Sequence, residues 1–132
     1  MKLDYEYLKK ILTTMEEQED YYIYASKLMK NIYGMKNHLD IEPKFVGHIK
    51  VLFDIGCIEA EEGRGTGFTL LPNEGFMFAD LPYRMTAKGY EFLDMLKNET
   101  IFNKIKNLAI SNALDIGKQM LVAVMLKQVT GC

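Results

Sequence analysis

Two punctuated stretches constrain the fold of this chain more than anything else in it. The first is Leu52-x-x-x-Gly56-x-Ile58, where an apolar helical pattern stops at glycine and an isoleucine follows two residues later. The second is Tyr83-Arg84-Met85-Thr86-x-x-Gly89-x-x-x-Leu93, where an extended run stops at threonine and helical spacing takes over. A glycine just past a helix takes the left-handed conformation that closes it. A threonine at a strand-to-helix corner offers its oxygen to backbone N–H groups that otherwise lack partners. Gly89 lies inside the helix that follows, where glycine costs about 1 kcal/mol against alanine, so close packing against a neighbour is its expected reason. Between the two stretches Gly63-Arg64-Gly65-Thr66-Gly67 predicts a flexible turn.

The flanking segments extend this frame. Tyr5, Leu8, Ile11, Leu12 and Met15 have helical spacing behind Asp4 as N-cap, and the carboxylates Glu16, Glu17, Glu19 and Asp20 oppose the macrodipole and end the helix. Tyr21 to Tyr24 suits a short strand. Ser26 to Tyr33 reads as a second helix stopped by Gly34, carrying Leu28, Met29 and Ile32 inward. Pro43 opens a third, whose stripe is Phe45, Val46, Ile49, Leu52 and Phe53. Ile58 to Ala60 predicts a strand, Phe68 to Leu71 is expected to pair back, and Phe76 to Met85 forms a second extended stretch. Thr86 caps a helix through Leu96, a further helix spans about Ile101 to Ile110, and Asn112 opens the last one with Asp115 as capping-box partner.

The order is helix, strand, helix, helix, strand, glycine-rich hairpin, strand, helix. The expected fold class is therefore mainly α with a small antiparallel β hairpin or sheet (α+β), a winged helix-turn-helix with extra C-terminal helices. Residues 1–98 would form the winged-helix domain and 99–132 a helical extension, with a dimerisation helix at 112–129. At 132 residues one core is enough, without disulfide or metal to hold it.

The stretch YRMTAKGYEFLDMLKNETIFNK, residues 83–104, together with Met1-Lys2-Leu3-Asp4-Tyr5, Val46-Gly47-His48-Ile49 and Gly56-Cys57-Ile58, resembles the uncharacterised domain-of-unknown-function family twenty-five thirteen. The resemblance covers most of residues 1–111. Phe102 stands where that family usually has tryptophan, and the segment from Tyr21 to Asn37 is longer than expected. The resemblance implies a winged-helix-like fold and a bacterial or prophage origin. It supplies no catalytic residue.

Charge and motifs narrow the function. The net charge of −2 argues mildly against promiscuous DNA binding, which draws most of its affinity from phosphate contacts. A local basic face remains compatible with it. In a winged helix-turn-helix the third helix would enter the major groove of double-stranded DNA, which makes Lys44, Gly47, His48 and Lys50 the candidate contacts, helped by Arg64 at the hairpin tip. The blander alternative is a solvated face, since the helix has no arginine or asparagine for paired base contacts. The hairpin base is acidic at Glu59, Glu61 and Glu62, which counts against phosphate tracking there.

His38 and His48 read as surface histidines, with no metal-ligand spacing around them. Gly63, Gly65 and Gly67 lack the helix and lysine of a phosphate loop. The tyrosines at 21, 22, 24 and 33 are expected to pack a core or an interface rather than line a ligand pocket. Cys57 and Cys132 lack a disulfide framework and suit a reducing compartment. No signal-peptide core and no membrane-length apolar run is present, so a cytoplasmic, non-enzymatic protein without cofactors is expected.

The last helix is the oddity. Asp115, Lys118 and Gln119 are polar, yet Met120, Leu121, Val122, Val124, Met125 and Leu126 make the next two turns apolar all round. A helix of that character is usually buried on more than one side, which predicts a partner helix from a second copy. The expected assembly is a DNA-binding homodimer. The alternative is a protein-interaction module on the same scaffold that binds an unidentified protein partner and no DNA.

Overall fold

The computed structural model describes residues 1–129, with side chains through Lys127; Cys132 lies outside the described residues. Helix α1, Tyr5–Glu16, starts where the Asp4 carboxylate accepts the Tyr7 N–H, and it buries the expected stripe from Tyr5 to Met15. Strand β1, Tyr22–Tyr24, passes directly into helix α2, Ala25–Tyr33, which Gly34 ends in the left-handed conformation. Helix α3, Pro43–Asp54, has proline in its first turn and buries Phe45, Val46, Ile49 and Leu52. Nine residues, 34–42, separate α2 from α3, more than the three- or four-residue turn typical of a helix-turn-helix.

The region from Ile58 to Met85 does pair with itself, in two tiers. Strand β5, Pro82–Met85, is the centre of a three-stranded antiparallel sheet between β1 and β2, Ile58–Ala60. The register sets Ile58 opposite Met85 and Ala60 opposite Tyr83, all buried, while Glu59 faces Arg84 on the outer side. That alternation is the period of two expected of a half-buried strand. Tyr83 has its ring fully buried and its hydroxyl donating to the Thr66 carbonyl.

The second tier is a distal hairpin of β3, Phe68–Leu70, and β4, Phe76–Phe78. The expected single run from Phe76 to Met85 is thus two strands, interrupted at Ala79–Leu81. The hairpin's open end is anchored by aromatic contacts. Phe68 stacks on Phe78 at 5.0 Å and meets Phe45 of α3 edge-on at 6.1 Å.

Thr86 caps helix α4, Ala87–Lys97, by accepting the Gly89 N–H at 3.1 Å. Asn98 caps helix α5, Glu99–Ile105, which therefore ends earlier than the expected Ile110. Helix α6, Ile110–Val129, starts before Asn112. The Ala113 N–H already donates to the Ala109 carbonyl, so Asn112 is an interior position and no capping box with Asp115 forms. Ile101, Ile105 and Ala113 join the same core as α1 to α4, and Tyr5 ties the N-terminal helix to the α5–α6 connection by donating to the Leu108 carbonyl. The molecule is a mixed α and β fold with small antiparallel sheets.

Candidate nucleic-acid interface

Helix α3 is amphipathic, and its solvent side is what any ligand of this helix would meet. Position by position, Lys44, Lys50 and Asp54 are exposed, Gly47 and Val51 are half-buried, and His48 is fully buried. The burial of His48 overturns the expectation of a surface histidine. Its Nε2 accepts the Asp4 N–H at 2.9 Å and its Nδ1 lies 2.8 Å from the Lys44 carbonyl, so Nδ1 carries the proton. The ring also packs against Tyr7 at 4.9 Å. With both nitrogens bonded internally, His48 offers no polar edge to a ligand. It holds the N-terminal arm to α3, and burial pushes its pKa below the usual histidine value.

The arm continues over the helix face. Lys44 pairs with Asp4 at 2.9 Å and lies 4.7 Å above the Tyr7 ring. The bond from Lys44 is the main cause that lowers the Asp4 carboxyl below its ordinary value. At Gly47, an added Cβ would meet the Met1 sulfur at 2.5 Å, so absence of a side chain is what lets Met1 lie across the helix there. Of the face expected to be open, Lys44 is thus partnered, Gly47 is covered by Met1, and Lys50 stands free of any ion pair among the described residues.

Beyond Lys50 the helix and the distal hairpin enclose a cleft of about 730 Å³. Lys50, Phe53 and Asp54 form one wall; Gly65 to Thr69 with Met77 to Ala79 form the other. The sequence reading missed this cleft because it needs β3 and β4 folded against α3. The available signal was the trio Phe68, Phe76 and Phe78, too apolar for a free turn. Arg64 does not line the cleft. It follows a 3-10 turn at Glu61–Gly63 and lies 3.9 Å from Glu62 at a highly exposed site. The acidic hairpin base is partly compensated: Arg84 bonds Glu59 at 2.6 Å, and the Tyr21 hydroxyl donates to Glu61 at 3.0 Å. Tyr21, Tyr22 and Tyr24 form an edge-to-face ladder on the sheet surface instead of a pocket.

Residues 2–115 match the model of a family described as "Hypothetical protein (DUF2513)". The chain belongs to that family. No curated protein and no solved structure matches it. The span that defines the family takes in α1 to α5 and the cleft, and it ends at Asp115, within the first turns of α6.

The remaining expected interface lies past that point. Ala113 is buried against the body, Gly117 brings its bare backbone up to Met95, and Met120 and Leu121 still pack on the core. From Val122 to Lys127 every residue is exposed, with Met125 at 56% and Leu126 at 59%. Among the described residues no helix is long and apolar enough to cross a membrane, and no three His, Cys, Asp or Glu side chains cluster as metal ligands. Cys57 is buried and its thiol is pushed up to about 12 by that burial.

Proposed function

We propose that this DUF2513 chain is a non-enzymatic winged-helix protein that binds double-stranded DNA, with α3 and the two-tier hairpin as its duplex-facing surface. One observation carries the reading. The return strand β5 pairs with β2 beside α3, and the open end of the β3–β4 hairpin stands across a cleft from Lys50, which is exposed and forms no ion pair among the described residues. A recognition helix next to a wing is the arrangement by which such folds dock on a duplex. Lys50 is the first contact. Lys44 is the second, because an exposed ion pair such as Lys44–Asp4 is worth only about 0–1 kcal/mol and a phosphate oxygen can take the place of Asp4. Gly47 lets a backbone come close once Met1 moves aside, and Arg64 supplies a cation in the connection between β2 and β3, not at the turn of the β3–β4 hairpin, which lies at residues 71–75. His48 positions the arm and touches no DNA.

Two copies joined through α6 would present two α3 helices to a two-half-site target. Exposure of Val122, Val124, Met125 and Leu126 toward the end of α6 supports that pairing, since a second α6 would cover part of that apolar surface. A second reading, a protein-interaction module, is favoured by the cover of Met1 over Gly47 and by the acidic hairpin base.

Fluorescence anisotropy with a labelled mixed-sequence duplex at low salt separates the two. Binding by the wild type, lost in Lys44→Glu/Lys50→Glu, supports the DNA reading. Absence of any signal at low salt overturns it and leaves the interaction module.

A further inference from the structure

The α2 helix carries a second basic feature, made of residues separate from the α3 contacts. Its buried stripe is Ala25, Leu28, Met29 and Ile32, which leaves Lys27, Lys30 and Asn31 exposed. Lys27 and Lys30 are three residues apart and therefore neighbours on the helix surface. Past the Gly34 cap the chain turns back, and Met35 and Lys36 close a hollow of about 460 Å³ with Ser26, Lys27, Lys30 and Asn31. Three lysines and no carboxylate line it. None of the three forms an ion pair among the described residues.

The carboxylates that touch the rim are already engaged. Asp80 accepts the Ser26 N–H at 2.9 Å and the Ser26 hydroxyl at 2.6 Å. Asp40 accepts the Lys36 N–H at 3.3 Å. All three bonds brace the hollow, and none of them is donated by an ammonium group.

Like charges gathered in a concavity repel one another, and an anion bound among them relieves that repulsion. Here the ammonium groups stay unpaired around an Asn31 amide and a helix surface. That donor set suits tetrahedral oxyanions carrying more than one charge. We propose that the hollow formed by Lys27, Lys30 and Lys36 is a phosphate-binding site that grips the sugar–phosphate backbone of the duplex. The inference rests on the DNA reading above and adds a backbone contact separate from α3.

The test compares salt dependence. Wild type, Lys27→Gln/Lys30→Gln, and the charge-matched control Lys88→Gln/Lys104→Gln are titrated with one labelled duplex over a salt series. All four lysines are exposed, so the folds are expected to survive, which circular dichroism checks. Each lost phosphate contact reduces the slope of log affinity against log salt by about 0.9. The α2 variant should therefore lose about 1.8 from the slope and bind about tenfold to a hundredfold more weakly at 0.1 M salt, while the control keeps the wild-type slope. Wild-type binding with an unchanged slope in the α2 variant, or an equal loss in the control, overturns the hollow and leaves α3 standing. A wild type that binds no duplex overturns both. A parallel titration with inorganic tripolyphosphate separates sources. Direct binding of tripolyphosphate, measured by calorimetry without DNA and lost in the α2 variant while that variant keeps its DNA slope, would assign the hollow to a free phosphate ligand and overturn the backbone contact.

Discussion

His48 accepts a backbone N–H on one ring nitrogen and donates from the other, an arrangement only the neutral ring can make. The groups facing it are Asp4 and Tyr7 from the arm and α1, and Lys44 from its own helix. Burial is the largest cause of its lowered pKa, with the Lys44 charge acting in the same direction, against the raising influence of Asp4 and the Lys44 carbonyl. A histidine whose folded pKa is depressed contributes stability above its unfolded pKa, near 6.5, and loses it as pH falls from there toward the folded value. Urea midpoints should therefore fall between pH 7 and pH 5. His48→Gln should flatten that part of the profile while lowering stability at pH 7. The lowered Asp4 carboxyl adds a separate loss only at more acidic pH, below its ordinary value of 3.8. A wild-type midpoint that does not move from pH 7 to pH 5 would remove His48 as the cause.

At the scale of elements, the corner between β5 and α4 concentrates the fold's polar bookkeeping on one carbonyl. The Cys57 oxygen accepts the Thr86 N–H at 3.0 Å, and the Thr86 hydroxyl lies 3.1 Å from it. Gly89 sits over the same carbonyl, so closely that an added Cβ would collide with the Cys57 oxygen and the Met85 side chain. Backbone cannot yield as Met1 can over Gly47. Gly89→Ala should cost about 3 kcal/mol through overpacking, although alanine is the better helix former. Thr86→Ala should cost about 1–2 kcal/mol by removing the cap, and Thr86→Ser should recover most of that. Denaturant midpoints at constant slope measure both. Gly47→Ala is the contrast, with little change in stability, because the neighbour displaced is the end of a flexible side chain.

For the whole molecule, the question is what the far end of α6 does. Its first turns belong to the core through Ala113 and Gly117, so the helix is firmly rooted; from Val122 to Leu126 its side chains are exposed. If two copies pair through Met125 and Leu126, light scattering should give twice the mass of a single chain. Met125→Glu/Leu126→Glu should return the monomer mass with the fold intact, because neither side chain is buried within one chain. A monomeric wild type at high concentration ends the proposal. DNA affinity in the glutamate variant should fall as well, since one docking unit replaces two linked ones.

Local chemistry made much of this legible beforehand. The α1 stripe, the Gly34 and Gly56 stops, Pro43 at the start of α3, the Thr86 cap and the order of the elements all follow from the preferences of a few residues for particular backbone shapes. So did the apolar character of α6, and the family membership followed from strings of residues along the chain. Three things were decided only in the folded molecule. Whether His48 faces water depended on where the N-terminal arm came to rest, and that contact spans 44 positions in sequence. Whether Phe68 pairs with β2 or with its own hairpin partner depended on the space beside Phe45. Whether lysines at 27, 30 and 36 share a hollow depended on the turn after Gly34. A side chain's periodicity names the face it occupies. What lies against that face is set by segments distant in sequence, whose placement is the sum of many weak contacts that no local pattern encodes.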